Sequence, residues 1–424
     1  MGMESFASRV TDKYICLMLL VFPLWTGFDG YAQITRWKFI FFAVTACIWY
    51  VLIIFSIFKE RSLPRVGRGF AACLGALLLW AALSFILSPY GVSLMGPRYD
   101  GLLPMALYIL TALGCAAYGS WHDRYAVLLG ISVSICCAVA VLQLLGFNPL
   151  RLYPEGYDYY GAGIWYNGSF LGTLGNTNLL GAFLCLACPA LAFTAALRRG
   201  HYLWLLLPAA LGAAVTALSR SEAGLVGLAA ALLAGTPYYV NLRGRRRAAL
   251  IVLAAEAALV IAALLTVYAA APASGTLYEL SEILHGRIDG SFGSHRVAIW
   301  GEALRLFAER PLLGGGPGTF ALRSTLQFSR FVPESGLTFT TVADNAHCEA
   351  LACLADLGLP GALLYLAAWA VVLRCWLRGR APAAGTALLS YFVQSLFGIG
   401  TCFVLPLAAI LCGLTVSEGK NALT

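Results

Sequence analysis

Runs of apolar residues long enough to cross a bilayer recur from one end of this 424-residue chain to the other. A crossing helix needs about 17–25 such residues. Runs of that kind fall at 15–33, 37–57, 69–87, 101–118, 125–145, 171–197, 202–218, 222–240, 249–270, 359–376, 383–399 and 401–415. In lipid every backbone N–H and C=O must find its partner inside the protein, so such runs become helices. The expected fold class is therefore all-α: a polytopic integral membrane protein with about twelve transmembrane helices. Composition points the same way, with 60% hydrophobic and 11% charged residues where soluble domains carry about 25% charged. The first apolar run lacks a small-residue cleavage site and reads as a retained span rather than a removable leader.

Lys and Arg set the expected orientation. With the N-terminus in the cytoplasm, that side receives Arg9 and Lys13, 59-KERSLPRVGR-68, Arg198 and Arg199, 243-RGRRR-247 and 374-RCWLRGR-380. The opposite side is poorer in positive charge, with Arg36, Lys38, Arg98, Arg151 and Arg220 in its connections. Both termini are thus expected in the cytoplasm. The net charge of +8 needs no nucleic-acid partner, because anionic inner-leaflet lipid attracts the cytoplasmic share. The thirteen cysteines are scattered, mostly within apolar runs. Cys185 and Cys188 form a C-x-x-C inside an expected span with no second pair, which reads as core packing rather than a metal or disulfide site.

Three regions follow: nine N-terminal spans over 1–270, a long extracytoplasmic loop over 271–358, and three spans over 359–424. A second external segment, about 146–170, is crowded with Tyr, Trp, Gly and Asn. It suits stacking on sugar rings, or equally an interfacial aromatic belt. The long loop contains 294-SHRVAIWGEALRLFAER-310, an amphipathic helix with Ser294 as its expected N-cap and Val297, Trp300, Leu304 and Phe307 on one apolar face. Pro311 and 314-GGGPG-318 end it. The glycine run lacks the G-K-[ST] of a P-loop and reads as a turn in preference to a phosphate cradle.

The stretch 341-TVADNAHCEALACLADLGLPGALLYL-366 gathers Asp, Asn, His and Glu at the mouth of an apolar run. Asp344 is the expected N-cap of a short helix over about 345–357; Gly358 closes it, and Pro360 suits the first turn of the next. That describes a half-helix at membrane depth, which survives only where buried in protein or lining a cavity. His347 stands at its head, where an imidazole can act as a general base or, more plainly, bond a loop carbonyl. His347 and Glu349 are two apart and point to different helix faces, and no paired metal-ligand spacing occurs, so no metal or other cofactor is expected. Arg296 sits near a helix N-terminus, where the dipole disfavours a cation. A carboxylate such as Asp289, or a substrate phosphate, should compensate. Arg220 in 217-ALSRSEAGL-225 can pair with Glu222, or bind an anion. Arg98, Asn176 and Asn178 occupy the same external level. Guanidinium forks grip phosphate oxygens bidentately, so these cations together suit a pyrophosphate.

The ordered blocks 296-RVAIW-300, 311-PLLGGGPGTF-320 and 344-DNAHCEALACLADLGLPG-361, with 96-GPRYDGL-102, 172-GTLGNTNLLG-181 and 219-SRSEAGL-225 upstream, resemble bacterial O-antigen ligases and related polysaccharide polymerases. The resemblance implies a metal-independent glycosyltransferase in the cell's inner membrane, taking a glycan from an undecaprenyl pyrophosphate carrier on the extracytoplasmic face. The implied partners are that lipid-linked oligosaccharide donor, a glycan or lipid acceptor with a free hydroxyl, and the surrounding membrane lipids. It carries the essential His onto His347 and the diphosphate-binding arginines onto Arg220 and Arg296, leaving Arg98, Asn176 and Asn178 to shape the site. One position departs: the family often places Asn after the His, and here Cys348 follows. A polymerase of the same fold differs only in its acceptor. A transporter of lipid-linked sugars would need polar groups at mid-membrane in both halves; the ionisable groups inside spans are few, Glu256 among them.

Overall fold

The computed structural model describes residues 5–60, 66–91, 93–152, 171–332 and 337–417. Its helices are α1 (Phe6–Leu20), α2 (Ile34–Glu60), α3 (Arg68–Ile86), α4 (Leu102–Tyr118), α5 (Asp123–Leu144), α6 (Thr177–Arg198), α7 (Leu206–Leu218) and α8 (Glu222–Leu242). They continue as α9 (Arg246–Ala270), α10 (Gly275–Leu284), α11 (Phe292–Glu309), α12 (Phe320–Arg323), α13 (Glu349–Leu377), α14 (Pro382–Ser395) and α15 (Leu405–Val416). Between α12 and α13 lies an antiparallel hairpin, β1 (Gln327–Val332) and β2 (Leu337–Val342), in the register Gln327↔Val342 to Val332↔Leu337. The fold is otherwise helical, so the all-α expectation is corrected by this one hairpin.

Eight of the described helices are long and apolar enough to cross a bilayer, and the chain is a polytopic membrane protein. The remaining expected spans, at 15–33, 101–118, 383–399 and 401–415, correspond to shorter helices. The first is cut at Leu20 and followed by a 3-10 turn over Phe22–Leu24, because Pro23 cannot donate to a continuing helix. The aromatic segment expected to stack on sugars lies for the most part, 153–170, outside the described residues. Cys185 and Cys188 are packed in the core as free thiols.

α6 is the central post. Its apolar window is 83% buried, against 6% for the still more apolar α9. It packs on α7, α8 and α14, and small residues set the approach: Gly181 meets Ser221 and Gly224 of the α8 start, and Gly212 of α7 meets Cys188. Close backbone contact of this kind replaces the hydrophobic drive that lipid removes between helices.

Lys38, expected in an external connection, instead lies fully buried in the first turns of α2. Its ammonium donates to the carbonyls of Phe22 and Pro23, each at 3.0 Å, and sits near the Phe22 and Phe403 rings. The break after α1 frees two carbonyls, and the buried cation satisfies them.

α13 is broken at Gly358, whose φ of 68° is the left-handed region that glycine enters without strain. The break frees carbonyls, and the glycine run comes in to pair them: Gly315 N–H donates to Ala355 O (3.1 Å) and Gly316 N–H to Asp356 O (2.8 Å). Trp80 Nε1 donates to Leu357 O at 2.8 Å, Arg323 Nη1 to Ala355 O at 2.8 Å, and Leu359 N–H to Pro311 O at 2.8 Å. A side chain on Gly314 would run into the Asp356 and Leu357 backbone. The glycines serve as a clasp on the broken helix, in keeping with a turn.

Candidate active site

The half-helix over 349–357 holds its N-terminal end beside the hairpin. β2 returns the chain to Ala343, whose N–H donates to Leu326 O (2.8 Å), and residues 344–348 then bridge to α13. Asp344 does not cap that helix. Cys348 stands at the cap position without a side-chain bond, because the Asp344 carboxylate is taken by the Arg98 guanidinium, a stronger charge-assisted partner. Asn345 does the local work: its Oδ1 accepts the His347 N–H at 3.0 Å. That bond holds His347 at φ 48°, a left-handed conformation costly for most side chains but tolerated by His.

Arg98 belongs to the turn before α4, closed by Gly101 N–H to Met95 O (2.9 Å) and Leu103 N–H to Leu94 O (3.0 Å). Arg296 enters from α11, where the expected start is also corrected. Gly293, Ser294 and His295 all have left-handed φ, so Ser294 caps nothing and regular helix begins at Arg296. The buried face is Ile299, Glu302, Ala303 and Leu306, packed on Ala343, Ala346 and Ala355. The expected stripe of Val297, Trp300, Leu304 and Phe307 is half-buried to exposed. Hydrophobic periodicity named one apolar side of α11, and protein contact selected another.

The loop before α6 is pinned from below. Buried Gln143 of α5 accepts from Gly172 N–H (2.8 Å) and donates to the Tyr31 hydroxyl (2.6 Å), and Thr173 donates to Pro23 O (2.7 Å). Asn176 Oδ1 then caps α6, accepting from Asn178 N–H (2.8 Å) and Leu179 N–H (3.3 Å). Among the described residues its amide N–H₂ has no partner, at a helix N-terminus whose dipole favours negative charge.

These pieces converge on one cavity of about 520 Å³. Its lining includes Arg98, Asn176, Asn178, Arg296 and His347, so five of the six expected site residues share it. Arg220 is not among its lining residues. It is exposed at φ 53° on the turn between α7 and α8, with no side-chain bond to Glu222. The Glu222 carboxylate instead accepts from the Thr276 hydroxyl. Tyr31, Thr35, Gln394 and Thr401 also line the cavity and were not singled out from sequence. Gln394 had a readable signal, a polar amide inside an apolar run.

Arg296 is half-buried, its Nε donating to Phe397 O (3.0 Å) and Nη1 to Gly293 O (2.7 Å). Asp289, the carboxylate expected to offset it, accepts instead from Ser291 N–H (2.8 Å) and Oγ (2.6 Å). Among the described residues no carboxylate forms an ion pair with Arg296, and Glu222 and Glu279 act on it only from farther off. His347 feels the consequence. Burial first, then the Arg296 and Arg98 charges, push its imidazole down from 6.5 to about 4, with Asp344 opposing. At neutral pH the ring is therefore uncharged and free to accept a proton. Among the described residues no three His, Cys, Asp or Glu side chains are grouped to hold a metal ion.

A half-buried imidazole thus shares one cavity with two guanidiniums, at the head of a broken helix in a polytopic helical protein. Residues 203–366 match the family model described as O-antigen ligase, a stretch that contains Arg220, Arg296 and His347. No curated protein matches the chain.

Proposed function

We propose that this protein is a glycosyltransferase of the ligase type that moves a saccharide from an undecaprenyl pyrophosphate carrier to an acceptor hydroxyl. In this reading it spans the inner membrane about twelve times with both termini in the cytoplasm, and the cavity opens to the extracytoplasmic face. The observation that carries it is the unpaired Arg296 guanidinium sharing one cavity with Arg98 and a neutral His347. A diphosphate supplies the missing negative charge, and guanidinium forks match its oxygens.

His347 takes the proton from the acceptor hydroxyl as that oxygen attacks the anomeric carbon. The bond from that carbon to the carrier's phosphate oxygen breaks, and its electron pair leaves with the pyrophosphate. Arg98 and Arg296 offset the charge that appears there, Arg98 after exchanging Asp344 for the donor. Asn176, Asn178 and the α6 N-terminus shape the anion end of the site, and Arg220, exposed on the neighbouring turn, adds only longer-range charge. The energy arrives with the activated lipid, so no nucleotide is required. Polymerase and ligase share this chemistry and differ in the acceptor.

The test is transfer by the purified protein in nanodiscs from a polyprenyl pyrophosphate saccharide, compared with a His347→Ala variant. Loss of a positioned base costs on the order of 10²–10⁴-fold in rate, while donor binding persists. Near-normal transfer by His347→Ala would refute the assignment.

A further inference from the structure

A second cavity, of about 270 Å³, lies behind the first. The two share a wall made of two short segments, 345–349 and 398–401: Asn345, Glu349 and Gly400 line the second cavity, and His347, Gly398, Ile399 and Thr401 line the first. The turn before α4 contributes in the same manner, Asp100 to the second and Arg98 to the first. Arg98 and His347 thus face the first space, and Asp100 and Glu349, each two residues further on, face the second.

The body of the second cavity is hydrocarbon, formed by Phe70, Leu74 and Leu77 of α3, Ile109 of α4, Trp369 of α13 and Leu405 of α15. Polar groups gather with it: Asp100, Glu349, Asp356, Asn345 and the Tyr108 hydroxyl. Glu349 is built in, accepting from Tyr365 Oη (3.0 Å) and from Tyr391 Oη, and Gly400 is glycine where a side chain would press on that carboxylate. Asp356 accepts from Gly318 N–H (2.9 Å) and Thr319 Oγ1 (3.2 Å). The Tyr108 hydroxyl is buried with no hydrogen-bond partner among the described residues, an open valence that a ligand group can fill.

We propose that this cavity is a binding site for a neutral-headed lipid, its apolar chain among the α3, α4, α13 and α15 side chains and its hydroxyl head among the three carboxyls and Tyr108. Charge complementarity chooses the head. Three carboxyls and no cation line the space, so a phosphate head is repelled or at best gains nothing, whereas hydroxyls donate to the carboxyl oxygens and accept from Tyr108. The volume lies near the lower end of the roughly 300–1,000 Å³ typical of small-ligand sites, which suits part of a single chain. The molecule then keeps an anion site and a neutral-lipid site back to back, each excluding the other's ligand.

Trp369 in the lining provides the readout. The protein in nanodiscs is titrated with a bromine-tagged alkyl maltoside and with the same tagged chain bearing a monophosphate, and the fluorescence that depends on Trp369 is isolated by subtracting a Trp369→Phe variant. The maltoside is expected to quench that component saturably, with the phosphate probe needing on the order of tenfold more. Filling the cavity from α15 with Cys412→Phe, or with Ala409→Phe if the first variant is not monodisperse, is expected to abolish saturable quenching. Equal potency of the two probes, quenching that rises without saturation, or undiminished quenching in a folded cavity-filled variant would overturn the proposal. The readout is binding alone, so it is independent of whether transfer occurs.

Discussion

Arg98, Arg296 and His347 line one cavity; Asp100, Glu349 and Asp356 line the next, with a wall only a few residues thick between them. The two differ in how their charges are held. On the acidic side, Glu349 and Asp356 each accept hydrogen bonds from fixed protein donors. On the cationic side, Arg296 is held by carbonyls that orient it, with no carboxylate hydrogen-bonded to it among the described residues. Carbonyl-held cations are poised for an incoming anion, whereas the acidic groups are already furnished with donors and present a surface that an anion avoids. The contrast teaches that function here is read from which charges remain unpaired after folding, rather than from how many charges the chain carries.

The contrast breaks first at the arginines. Arg296→Ala is expected to weaken binding of a polyprenyl pyrophosphate by about tenfold to a hundredfold, the worth of charged hydrogen bonds of about 1.5–3 kcal/mol. Arg220→Ala, off the cavity and exposed, is expected to cost less than about 1 kcal/mol, as surface charges do. Isothermal titration with the donor measures both, and an Arg220 effect larger than that of Arg296 would relocate the anion site to the α7–α8 turn.

A smaller effect sharpens the electrostatic half of the comparison. Because the His347 pKa is lowered in the folded protein, the unfolded chain binds the proton first as pH falls. Stability is therefore untouched above about 6.5 and declines as pH drops from about 6.5 toward about 4. A His347→Gln variant is expected to lack that increment in a thermal-denaturation series over pH. In rate profiles, kcat/KM reports the free enzyme and its acid limb belongs near 4. The limb in kcat moves upward, because a bound pyrophosphate cancels the arginine charges. Coincident limbs at the ordinary imidazole position would mean that the arginines do not act on His347.

Much of this was legible where the determinant is local. Gly358 and Pro360 announced the break in α13, and the cations and His347 stood at consecutive loop-to-helix junctions. What escaped the sequence depends on distant partners. Asp344 looks like an N-cap until Arg98, 246 residues away, claims it. Ser294 looks like a cap until its backbone turns left-handed. Lys38 looks like a loop charge until Phe22 and Pro23 need a donor. The hairpin was readable in principle, since aromatic and β-branched residues are concentrated on both sides of 333-PESG-336, but it lies within an otherwise helical chain. Hydropathy alone also fails to separate α6 from α9, because lipid and a protein core ask for the same side chains.

The most direct measurement is a double-mutant cycle on donor affinity, using Arg98→Ala, Arg296→Ala and the pair, with Arg305→Ala as control. Arg305 shares α11 with Arg296 but is already paired with Glu302 at 2.7 Å and Glu309 at 2.5 Å, so its loss should leave donor affinity within about twofold. If Arg98 and Arg296 grip one pyrophosphate, the two losses couple by about 0.5–3 kcal/mol, and Lys restores only part of either, keeping the charge but not the fork. Losses that add within about 0.3–0.5 kcal/mol, or an Arg305 effect equal to that of Arg296, would contradict a shared anion site in this cavity.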